Sequence, residues 1–87
     1  VENNVFDKLI VISKKIFEKQ GMNLNWFELS KLKKVQQIYT LVMISPFSVS
    51  EKQKLLEIPE INEIAKTFVE IANFALFENS NDESSIQ

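Results

Sequence analysis

Apolar residues return every three or four positions along most of this chain, and no strand-length run alternates apolar with polar. Phe6, Leu9, Ile10, Ser13, Ile16 and Phe17 share one face of a helix predicted over 4–20. Asn3 or Asn4 is placed to cap its start, because a short side-chain oxygen accepts a backbone N–H left over there. Asp7 falls early and Lys14, Lys15 and Lys19 fall late, as the helix dipole favours. Gly21, the only glycine, stands where a left-handed residue is wanted just past a helix end. After the connection 22–25, Asn25 and Glu28 have the spacing of a capping box and open a short helix from Trp26 to about Leu32. A longer helix is predicted over 34–44. Its buried face is read as Val35, Ile38, Tyr39, Val42 and Met43, widened by Leu41 and Ile44.

Pro46 ends that helix, since the residue before a proline is pushed out of the α region. Ser48 and Glu51 have capping-box spacing and start another short helix, with Leu55, Leu56 and Ile58 as its apolar edge. Pro59 is expected as the first residue of the last helix, where its missing N–H does no harm. That helix runs to about Phe77 on a stripe of Ile61, Ile64, Ala65, Phe68, Ile71, Ala72 and Ala75, with Val69, Phe74 and Phe77 partly outside it. From Glu78 the chain is polar, acidic and without periodicity. The fold class that follows is all-α: a small helical bundle of four to five helices over 1–78, with a disordered C-terminal tail over 79–87.

At 87 residues the chain makes one domain, and 45% apolar residues suffice for a core. Net charge is −2 and arginine is absent, so the basic stripe that nucleic-acid binding needs is missing. Lys14 with Lys15, and Lys31 with Lys33 and Lys34, read as solvated helix faces. With no cysteine and no histidine, disulfides, Cys/His metal sites and Ser-His or Cys-His nucleophile pairs are excluded. The longest apolar candidate, Ile38 to Ile44, is broken by Thr40 and is far shorter than the ~20 residues that cross a bilayer. No membrane partner is therefore expected. The carboxylate pairs Glu57/Glu60 and Glu60/Glu63 read as helix-start charges rather than an acid–base pair. Ser48 and Ser50 read as caps and Ser13 as a small packing contact, not as members of a Ser-Lys dyad. No catalytic, metal or cofactor residue emerges, and the chain is read as a non-enzyme without cofactor.

The aromatic residues hold what functional signal remains. Phe6, Phe17 and Phe68 lie on helix stripes and belong to the core, and Phe47 is placed to plug the end of the bundle. Trp26 and Phe27 are neighbours at a helix start and point in different directions: one anchors between helices, the other is exposed or meets something outside this chain. Phe74 and Phe77 flank the last stripe, as either a second packing face or a binding patch. Trp26, Phe27, Phe74 and Phe77 form the candidate apolar binding surface.

With the helices placed, Ser45-Pro46-Phe47, Glu51-Lys52-Gln53 and Leu55-Leu56-Glu57 resemble the helical C-terminal half of the LON substrate-binding domain, the N-terminal domain of Lon proteases. Asn25-Trp26 is similar to the standalone bacterial version, and the resemblance covers about Val5 to Phe77. It implies a β-rich half upstream of Val1 and a polar C-terminus like that of a standalone LON-domain protein. It also implies a cytoplasmic setting and a role in protein quality control, through recognition of unfolded or damaged polypeptides. The ATPase and Ser-Lys protease modules that follow this domain in Lon have no counterpart here, and the matching residues are architectural. A second reading takes the chain as a structural helical module that docks the absent β-rich half or a second copy of itself.

Overall fold

The computed structural model describes the backbone of residues 1–86 and the side chains of residues 1–78. Five helices follow one another: α1 (Asn3–Lys19), α2 (Trp26–Ser30), α3 (Lys34–Ile44), α4 (Val49–Glu57) and α5 (Ile61–Ile86). Among the described residues there is no strand, so the all-α bundle stands. α5 is bounded at Ile86 rather than near Phe77, and the tail expected over 79–87 falls outside the residues described in full.

Local chemistry sets most of the boundaries. Gly21 takes φ +70°, and the amides of Gly21 and Met22 donate to the carbonyls of Glu18 and Phe17 at 3.0 and 2.8 Å. These two bonds close the last turn of α1 in a Schellman arrangement. The start of α1 departs from expectation: Glu2 is the cap residue and makes no side-chain cap bond. Asn3 and Asn4 already lie inside the first turn, one and two positions too late to cap it. Asn3 Oδ1 accepts from Lys34 Nζ instead, and the Glu2 amide donates to Asn62 Oδ1 of α5 at 2.9 Å. Asp7 likewise lies beyond the first turn.

Asn25 caps α2, accepting from the Glu28 amide at 3.1 Å. The Glu28 carboxylate, expected to close the box, reaches forward to Lys31 at 3.0 Å. The Ser48–Glu51 box is complete: the Glu51 amide donates to Ser48 Oγ at 3.1 Å, and the Ser48 amide donates to the Glu51 carboxylate at 3.0 Å. Pro59 is not the first residue of α5. Glu60 accepts from the Glu63 amide at 2.9 Å and so caps the helix, an acceptor role that proline cannot fill.

α1 and α5 run side by side in the same direction. Glu2 meets Asn62 at one end, and Ile12 and Lys15 lie beside Val69 and Asn73 further along. Leu9, Ile16 and Phe17 of α1, Leu55 of α4 and Ile64, Ala65, Phe68 and Ala72 of α5 are almost wholly buried. Phe47 plugs this core as expected, its ring 5.0 Å from that of Phe68.

α3 is turned relative to its expected orientation. Gln37, Ile38, Leu41 and Val42 face inward, while Val35, Tyr39 and Met43 are exposed. The polar side chains on the inner side are satisfied locally. The Gln37 amide group donates to the Leu32 carbonyl at 2.8 Å, and the Ser45 hydroxyl donates to that of Val42 at 2.8 Å. Both buried side chains have their hydrogen bonds without water. Leu56, expected to dock beside Leu55, is also exposed.

Candidate functional site

α2 aims its two aromatic residues apart. Trp26 turns inward against the end of α1, its ring 5.9 Å from that of Phe17, with Lys14 Nζ 5.6 Å from its centroid. Phe27 turns outward and is 70% exposed, with Lys31 Nζ 4.7 Å from its ring. Trp26 is thus the anchor and Phe27 the open residue. Phe74 and Phe77 stand three positions apart on α5 and are 66% and 64% exposed. No aromatic contact among the described residues joins the α2 pair to the α5 pair.

A groove of about 500 Å³ lies between α1 and the α2–α3 segment. Its floor is apolar, made by Phe6, Ile10, Trp26 and Leu29, and Asp7 and Lys14 stand on its α1 side. Lys34 Nζ lies 5.2 Å from the Phe6 ring. An ammonium held over a ring face is attracted by the ring's negative quadrupole, so these lysines are placed rather than loose.

Sequence reasoning missed a second apolar surface. Val35, Tyr39 and Met43 recur every four residues along the outer side of α3. Lys52 Nζ donates to the Met43 carbonyl at 3.0 Å, tying the end of α3 to the first turns of α4, where Val49 is exposed. Apolar residues almost encircle α3, so periodicity alone does not reveal which side faces the core. Gln37 and Ser45, eight positions apart, are the polar residues on the inner side, and each bonds a carbonyl within five residues.

Ser13, Ser45 and Ser48 form no nucleophile pair. Ser13 Oγ is buried with no hydrogen-bond partner, Ser45 bonds Val42, and Ser48 belongs to its capping box. The ion pairs Lys31–Glu28 and Lys66–Glu63 are exposed, at 3.0 and 3.7 Å, and contribute little. Among the described residues, no three acidic side chains converge where they could hold a metal ion. Among the described residues, no helix is long and apolar enough to cross a membrane. What the arrangement offers chemically is apolar contact area on rigid helices, with ammonium groups beside it. No family model, curated protein or solved structure matches this chain.

Proposed function

We propose that this chain is the helical half of a LON-type domain, acting in the cytoplasm as a non-catalytic polypeptide-recognition module in protein quality control. The observation that carries the reading is the exposure of Phe27, Phe74 and Phe77, each about two-thirds open on a helix. Burying such a side chain fully contributes roughly 1.5–3 kcal/mol. The fold forgoes that contribution at three positions, and a partner that covers them recovers it. Unfolded or damaged polypeptides present complementary apolar segments and need no catalytic chemistry from the binder. The resemblance of the Ser45–Glu57 segment and of Asn25-Trp26 to LON domains supports the same class of partner.

The test is a nitrogen-15 spectrum of the chain titrated with a permanently unfolded polypeptide. Shifts concentrated at Trp26, Phe27, Phe74 and Phe77 are expected. Silence at all four, in a protein that also carries its β-rich half, would sink the reading. A structural reading is favoured by a different observation, the exposed strip of Val35, Tyr39 and Met43 with Val49 nearby. In that reading the strip docks the β-rich half or a second copy, and sedimentation would show association that Tyr39→Ser abolishes.

A further inference from the structure

Charge is unevenly divided along the chain. Lysines outnumber acids seven to four in residues 1–44, whereas acids outnumber lysines eight to three in residues 45–87. The basic half builds the groove between α1 and α2–α3. Its apolar floor has Phe6 toward one end and Trp26 toward the other. A lysine ammonium is held over each of these rings, Lys34 on Phe6 and Lys14 on Trp26. We infer that this groove takes acidic amphipathic peptide segments, with an apolar anchor on the floor and a carboxylate meeting each lysine. The inference rests on the polypeptide-recognition reading and names the kind of polypeptide.

The spacing suits such a ligand. Phe6, the ring under Lys34, and Lys14 are separated by a rise of about 12 Å along α1. A helical ligand places side chains i and i+8 the same ~12 Å apart on one face, with apolar residues between them, which is the helix-in-groove mode. The other charges nearby are few. Lys31 is already paired with Glu28, Lys34 stands at the groove's edge and donates to the neutral Asn3 side chain, and Asp7 on the α1 side opposes an acidic ligand. Complementary charge then selects among apolar segments and speeds their arrival, while the floor supplies the contact area.

Trp26 is the only tryptophan in the chain and lines the groove, so its fluorescence reports occupancy directly. The probes are three tryptophan-free helical peptides with the same leucine face, flanked by glutamate, glutamine or lysine. The glutamate peptide is expected to bind about tenfold more tightly than the lysine peptide at low salt, a preference that shrinks at high salt. Lys14→Gln and Lys34→Gln should each weaken the glutamate peptide a few-fold more than the glutamine peptide, and Asp7→Asn should strengthen the glutamate peptide; equal effects of the lysine variants on both peptides would overturn the charge pairing. Equal binding of all three peptides would overturn the acidic preference while leaving polypeptide recognition standing. Failure of every peptide, together with silence of the unfolded polypeptide in the nitrogen-15 titration, would overturn both.

Discussion

Ser13 is buried on the core face of α1, and its hydroxyl has no partner. An unsatisfied buried polar group costs roughly 1–3 kcal/mol, so this hydroxyl opposes folding while its small volume serves packing. Ser13→Ala keeps the volume and removes the hydroxyl. It is expected to leave stability unchanged or raise it by about 1 kcal/mol in urea unfolding; a clear loss would mean that the hydroxyl has a partner. The sequence reading of Ser13 as a packing contact fits its position. At the same scale, Gly21 was legible because its left-handed turn depends on the residue type alone. Trp26 and Phe27 were half legible: adjacency on a helix requires them to diverge, but only the place of α1 beside α2 makes Trp26 the inward one.

Helix boundaries follow the same division. The Ser48–Glu51 box was readable because both of its hydrogen bonds lie within four residues. Ser48→Ala is expected to cost about 1 kcal/mol, lowering the thermal midpoint by roughly 4–8 °C in circular dichroism. An unchanged midpoint would mean that α4 is held by Leu55 alone. The starts of α1 and α5 were misread by one or two residues because capping requires a precise register. Asn3 is engaged by Lys34, thirty-one positions away, and no local pattern contains that bond. The turn of α3 is the larger miss. Seven apolar residues within 34–44 suit more than one orientation, and the local bonds of Gln37 and Ser45 let those two polar side chains be buried in the observed one.

Over the whole molecule, burial separates the phenylalanines into two classes. Phe68 is fully buried and packs at a tilt against Phe47, whereas Phe77 on the same helix is mostly exposed. Phe68→Ala is expected to cost about 3–5 kcal/mol, a large share of the ~5–10 kcal/mol that stabilises a domain of this size. Phe77→Ala should stay within about 0.5 kcal/mol. Thermal unfolding of the two variants side by side checks the contrast, and an equal loss for both would place Phe77 in a packed interface rather than on an open surface.

By itself the sequence determined the helical class, most helix spans, the glycine stop, the Ser48 cap and the aromatic core of Phe6, Phe17 and Phe68. These depend on periodicity and on bonds spanning a few residues. Tertiary structure alone decided which side of α3 faces inward, which of Trp26 and Phe27 is open, and how Phe6 and Trp26 come to floor one groove beneath two lysines. The reason is physical: burial and groove shape are properties of several helices at once. A helix with apolar residues on most of its surface has no orientation until its neighbours bury one side.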